Sequence, residues 1–205
     1  MLDKHLQFLL KGPLIFISKR IGNFTNPNSI SLIGFLFGLM MCVSIVLGLF
    51  KLSILLLIFN RLFDGIDGSL ARLTHPTPLG GYIDIVFDFL IYSGFVLSFG
   101  IMDQSNLLIC SILLFVYIGT GTTFLARAAI ENNSYNNQKN KFKDHKHIHK
   151  SFYFTYGLIE GGETTLFMFI CLIFPNSFNL LGLIFFILCS ITIVSRIYVC
   201  YKELN

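Results

Sequence analysis

Charge is what this chain has least of. Only 13% of its 205 residues are Asp, Glu, Lys or Arg, while 54% are hydrophobic and the mean hydropathy is +0.73. A soluble domain of this length carries about twice that charge. A soluble fold is therefore excluded, and the long apolar blocks read as membrane spans. No cysteine pair has zinc or redox spacing. Cys42, Cys110, Cys171, Cys189 and Cys200 each sit alone in an apolar run, which predicts small buried thiols in helices rather than a disulfide framework. The first segment makes a poor secretory leader. Residues 1–22 are interrupted by Asp3, Lys4, Lys11, Pro13, Lys19 and Arg20 and have no clear cleavage site. They read as an amphipathic helix lying in the membrane interface. No internal repeat is visible, and no nucleic-acid partner is expected.

What is present divides into six spans, a single all-α membrane domain over residues 1–205 with its bundle at 29–200. The predicted spans run over Ser29–Leu49, Lys51–Leu73, Gly80–Gly100, Asn106–Arg127, Phe152–Phe174 and Ser177–Cys200. Asn26 and Pro27 mark the start of the first. Fourteen of the fifteen Lys and Arg residues fall at one end of this arrangement and only Lys51 at the other. The positive-inside rule then puts both termini and the acidic ends of spans two and three in the cytoplasm, with a bacterial-type inner membrane as the expected setting. The one long loop, Glu131–Ser151, holds His145, His147 and His149 among lysines and asparagines. It reads as a solvated basic segment near anionic headgroups rather than a metal site. The 23 phenylalanines read as lipid-facing filler.

The chemistry is concentrated between residues 64 and 88, DGIDGSLARLTHPTPLGGYIDIVFD. On a helix, Asp64, Asp67, Gly68, Ala71 and Arg72 share one face, as do Gly80, Asp84 and Asp88 on the next. Pro76 and Pro78 stop the first helix and turn the chain back. Four carboxylates thus face each other, which calls for divalent cations, and hard oxygen ligands favour Mg²⁺ or Mn²⁺. Two such ions form the usual clamp for phosphoryl transfer. Gly68 and Ala71 leave the acidic face bare, and Arg72 offers a planar fork to a phosphate. Asp88 lies about 12 Å along its helix from Gly80, deep enough to meet a lipid-side hydroxyl.

This pattern resembles the signature of the CDP-alcohol phosphotransferases, D-x-x-D-G-x-x-A-R, a spacer, then G-x-x-x-D-x-x-x-D. All eight positions are present as Asp64, Asp67, Gly68, Ala71, Arg72, Gly80, Asp84 and Asp88. The seven residues between Arg72 and Gly80 are one fewer than the family pattern, but the shortening falls in the Pro-rich turn and leaves both faces intact. The resemblance implies six membrane helices, a homodimer, and transfer of a substituted phosphoryl group from a CDP-linked donor to an alcohol, with CMP released. CDP-diacylglycerol is the working donor. By the same resemblance Asp64, Asp67 and Asp84 are metal ligands, and Asp88 is a shared ligand and the general base. Asp67, Gly68, Ala71 and Arg72 hold the CDP group. Asn28 and Ser31, in P-N-x-x-S, match an N-terminal signature and read either as contacts to the CMP phosphate or as simple helix capping.

Other features are weaker. Glu160 and Glu163 fall inside an apolar span and point to metal or acceptor binding, or to pairing with Arg61 or Arg127. Arg127 is either an acceptor contact or a snorkelling anchor. Gly34 and Gly38 form G-x-x-x-G, a dimer face or a close packing point within one bundle. A transporter or channel that passes cations between the acids is the rival reading, yet it leaves Gly68, Ala71 and Arg72 unexplained. A prenyltransferase of the UbiA kind would show two separated acidic motifs on more spans.

Overall fold

The computed structural model describes residues 2–21, 25–74, 76–141 and 159–204. The described residues are helical, with short turns and no strand. Seven α-helices follow one another: α1 (Leu2–Ile21), α2 (Pro27–Val46), α3 (Phe50–Leu73), α4 (Pro78–Met102), α5 (Leu107–Lys141), α6 (Gly161–Ile173) and α7 (Phe178–Leu204). Among the described residues, four segments are long and apolar enough to cross a membrane: Pro27–Val46, Pro78–Met102, Gln104–Ile130 and Pro175–Glu203. The chain is a multi-pass membrane protein. α3 is 24 residues long but carries the charges of the acidic motif at its end. α6 is a shorter apolar helix.

Several boundaries differ from the sequence reading. α2 stops at Val46 because Gly48 takes the left-handed conformation, φ +72°, that turns the chain into α3. α5 continues past the predicted end at Arg127, so the first part of the supposed 131–151 loop is helix. Nothing from Glu131 to Lys141 is Gly or Pro, so nothing breaks a helix already running. His145, His147 and His149 lie outside the described residues, as do residues 152–158 of the fifth predicted span. The described part of that span begins at Ile159, and its helix at Gly161. α1 is continuous through Pro13.

α2 packs against α3 and α4, and α5 against α4 and α7. The core is built of aromatic and aliphatic side chains including Leu57, Ile91, Phe95, Leu113 and Phe167, with the thioether of Met41 among them. Phenylalanine is not mere filler here. Phe95, Phe99 and Phe178 are fully buried, and Phe99 stacks on Phe178 at 4.1 Å, as Phe167 does on Phe185. Lipid tails offer no hydrophobic drive between helices, so dispersion between close flat surfaces has to hold them. Gly34 and Gly38 serve the same purpose. A Cβ on Gly38 would stand 2.4 Å from Ile91 Cδ1, and one on Gly34 3.1 Å from Phe63 Cβ. The G-x-x-x-G face is packed inside the bundle.

Three tight turns gather at one end. Phe50 at the start of α3 stacks near Phe99 at 6.1 Å, Phe99 lies on Phe178, and Asn179 Nδ2 donates to Asn106 Oδ1 at 2.9 Å. The acidic motif occupies the opposite end of α3 and α4. There α1 lies against α3, with Ser18 Oγ donating to the Ile66 carbonyl and Leu14 filling the space over Gly65. Ile17 and Ile21 join Ile30, Ile66 and Leu70 in a second small core beneath the site.

Candidate active site

The end of α3, the start of α4 and the start of α2 enclose a cavity of about 530 Å³. Its walls include Asn28, Ser31, Asp67, Gly68, Ala71, Arg72, Gly80 and Asp84. A narrow crevice adjoins it, sharing Ser31, Asp67 and Asp84 and lined further by Asn60, Arg61, Asp64 and Asp88 and by the stacked rings of Phe35 and Phe87. Local sequence accounts for each wall. The α3 helix ends at Leu73, where both the amide and the hydroxyl of Thr74 donate to the Leu70 carbonyl. α4 begins with Thr77 as N-cap, its Oγ1 accepting from Gly80 N at 3.0 Å, and with Pro78 in the first turn. α2 begins at Pro27 behind Asn26. Two helix N-termini therefore meet at the cavity mouth, a setting that favours anions.

The structure brings together what the spacing predicted. Asp64, Asp67 and Asp84 each present a carboxylate oxygen, and these atoms lie within 4.8 Å of one another. Ligand oxygens 2.0–2.6 Å from a shared divalent cation stand at about that separation, so the donor set fits Mg²⁺ or Mn²⁺. Gly68 faces the cavity with only the Arg72 guanidinium near it, 3.4 Å from where a Cβ would lie. The bare face is real, and Arg72 folds back along it. Asn28 and Ser31 are not caps. The N-cap is Asn26, and both residues lie in the first helical turns, lining the cavity. Asn28 Oδ1 comes within 3.3 Å of the Cβ position of Gly80, and Ser31 Oγ donates to the Pro27 carbonyl.

Asp88 is held differently from its three companions. Its Oδ1 accepts from Arg61 Nη2 at 2.9 Å and its Oδ2 from the Tyr92 hydroxyl at 3.1 Å. Arg61 also stands 3.8 Å from Asp64 Oδ2, and its Nε donates to Asn60 Oδ1 at 2.8 Å. Asn60 in turn donates to the Gly34 carbonyl at 2.8 Å. Arg61, Asn60 and Tyr92 escaped the sequence reading as members of this site. Helical spacing does carry the signal: Arg61 precedes Asp64 by three residues and Tyr92 follows Asp88 by four.

The glutamates fall elsewhere than expected. Glu160 is the extended N-cap of α6, and with Glu163 it forms a reciprocal capping box, Glu160 N donating to Glu163 Oε2 at 3.1 Å. They start a helix rather than interrupt one. Arg127 forms an ion pair with Glu203. None of the three lines the cavity at the aspartates. All five cysteines are free thiols, with Cys110, Cys171 and Cys189 buried.

Comparison with known proteins agrees with this geometry. The chain is 36% identical to the inner membrane protein YnjF of Escherichia coli (strain K12), over all of this chain and 98% of that protein. The family model for CDP-alcohol phosphatidyltransferases matches residues 24–194, which include every aspartate of the site, and the chain belongs to that family.

Proposed function

We propose that this protein transfers a phosphatidyl group, or another substituted phosphoryl group, from a CDP-linked donor to an alcohol, releasing CMP. CDP-diacylglycerol is the donor we favour, and the product is then a phospholipid. The observation that carries the reading is the convergence of Asp64, Asp67 and Asp84 within 4.8 Å, where the inner crevice adjoins a cavity otherwise made of a bare helical face and two helix N-termini. Such a cavity suits a flat nucleotide with a diphosphate. Gly68 and Ala71 give room for it, Arg72 forks onto a phosphate oxygen, and the α2 start with Asn28 and Ser31 takes the other phosphate. Asp64, Asp67, Asp84 and Asp88 would hold two Mg²⁺ or Mn²⁺ ions. When bound, these ions supply the positive charge that the leaving diphosphate oxygens need.

The reaction is an exchange of one P–O bond for another. The acceptor hydroxyl loses its proton to Asp88, and its oxygen attacks the phosphorus that carries the lipid group. The bond to the bridging oxygen breaks, and CMP departs with the electron pair. The chain's part is to orient donor and hydroxyl and to exclude water. Arg72 is assigned to the donor, and three further described arginines have partners: Arg61 bonds Asp88, Arg127 pairs with Glu203, and Arg196 donates to the Thr120 carbonyl at 3.0 Å. This favours an acceptor without a phosphate, such as serine or choline or a diacylglycerol, over glycerol 3-phosphate.

We further assign six membrane crossings, with α3 and α6 as the second and fifth. α1 lies at the interface, and both termini and the cavity face the cytoplasm of a bacterial-type inner membrane. The name of the E. coli relative supports the membrane, and the positive-inside rule supports the direction. The assembly is a homodimer on this reading. The test is CMP release by purified protein in detergent, given CDP-diacylglycerol, Mn²⁺ and each acceptor in turn. Asp84→Asn and EDTA should each lower the rate by roughly 10²–10³-fold, with added Mn²⁺ reversing the EDTA effect. Full activity in Asp84→Asn would falsify the metal assignment.

A further inference from the structure

Arg61 is a charged side chain in the membrane half of α3, its side chain only 18% exposed, and every bond it makes is accounted for. Nε is anchored on Asn60, which is 3% exposed and tied in turn to the α2 backbone at Gly34. Nη2 binds Asp88, and Nη1 reaches the Tyr92 hydroxyl at 3.4 Å and stands 3.8 Å from Asp64. The guanidinium lies 5.7 Å from the Tyr92 ring centre. Tyr92 is 6% exposed and its hydroxyl closes the circuit on the second oxygen of Asp88. A planar group held on three edges, by buried Asn60 and Tyr92 and by half-buried Asp88, keeps one orientation. It is a fixed fourth wall of the acidic site, and it carries the only positive charge among the described residues of the inner crevice.

From this circuit we propose that Arg61 is a positioning residue. It ties Asp88 to itself and Tyr92, competes with metal for Asp88 and Asp64, and thereby keeps the site's affinity for divalent cations low. The inference rests on the metal-dependent reading above. Its logic is electrostatic. Asp64, Asp67, Asp84 and Asp88 carry four formal negative charges, and Arg61 cancels one of them at contact distance from two. An incoming cation meets that charge as repulsion, and it must also displace Nη2 to reach Asp88 Oδ1. A site so balanced binds its ions firmly only when the donor's diphosphate adds its own negative charge and oxygen ligands. Arg61 is then what couples metal binding to substrate binding.

The competition makes a prediction of unusual sign, because removing a residue with purely structural duties weakens a site. Arg61→Gln should bind Mn²⁺ roughly three- to tenfold more tightly than the unaltered protein. The measurement is titration of purified protein in detergent with Mn²⁺ alone, free Mn²⁺ being read from its electron paramagnetic resonance signal. Arg61→Lys keeps a charge but loses the fork, so its affinity should fall between the two. It also serves where the glutamine variant does not fold. Equal or weaker Mn²⁺ binding in whichever variant folds overturns the proposal and leaves the two-metal reading standing. Absence of Mn²⁺ binding by the unaltered protein and by the variants alike, with CDP-diacylglycerol present, overturns both.

Discussion

Gly68 and Gly38 are both mid-helix glycines, and their surroundings assign them opposite duties. Gly68 borders the cavity, and a Cβ there would only touch the Arg72 guanidinium at 3.4 Å. The protein itself has room for a methyl group, so the glycine is there for what enters the cavity. Gly68→Ala should leave thermal stability unchanged or raised, by up to about 1 kcal/mol from helix propensity. The Michaelis constant for CDP-diacylglycerol should nonetheless rise roughly 10-fold or more, as one misplaced methyl group does in a tight pocket. An unchanged donor constant in a folded Gly68→Ala protein removes the nucleotide from that face. At this scale the sequence was informative where helical spacing alone decides geometry. Asp64 and Asp67 share a face of α3 as their i, i+3 interval requires, and the turn through Pro76 and Pro78 returns the chain so that Asp84 of α4 meets them. It was silent on Arg61 and Tyr92, because what makes them members of the site is a contact between α3 and α4 at one depth, and spacing on one helix does not set depth on its neighbour.

Helix ends show where pattern reading succeeds and where it slips. Thr77-Pro78 and Pro27 start α4 and α2 as proline and capping chemistry dictate. Glu160 and Glu163 misled, since acids in an apolar stretch look like ligands until the two bond each other's backbone and prove to be a helix start. The end of α5 misled in the other direction, because polar composition resembles a loop even when nothing in it breaks a helix. Packing between elements is where Gly38 matters. On α2 it lets Ile91 of α4 come within 2.4 Å of the missing Cβ, and Asn60 Nδ2, pinned on the Gly34 carbonyl, stands 3.1 Å away. Ile91 is 1% exposed and has nowhere to retreat. Gly38→Ala should therefore destabilise the protein by about 1–3 kcal/mol despite the gain in helix propensity. Thermal unfolding in detergent reads this directly, and a melting temperature at or above that of the unaltered protein contradicts the close α2–α4 approach.

At the scale of the whole molecule, the two ends of the bundle differ in kind. One end consists of three short turns at residues 47–49, 103–106 and 174–177, drawn together by Phe50, Phe99, Phe178 and the Asn106–Asn179 bond. Among the described residues, the one basic residue close to them is Lys51. The other end carries the cavity and α1. On the proposed reaction a water-soluble nucleotide product leaves from the cavity end, and that end should then face the compartment where CDP-linked lipids are made and CMP is reused. Charge asymmetry and catalytic need point the same way, although they arise from unrelated physics: translocation cost in one case, product release in the other. Single cysteines placed in a background with the native cysteines changed to alanine separate the ends. In intact cells, a membrane-impermeant maleimide should label Asp103→Cys and Lys51→Cys. It should spare Thr77→Cys until the membrane is opened. Labelling of Thr77→Cys from outside would put the cavity on the wrong side for its nucleotide and would overturn the orientation. The aspartate geometry would be untouched by that result, since it depends on α3 and α4 meeting and not on which way the pair points.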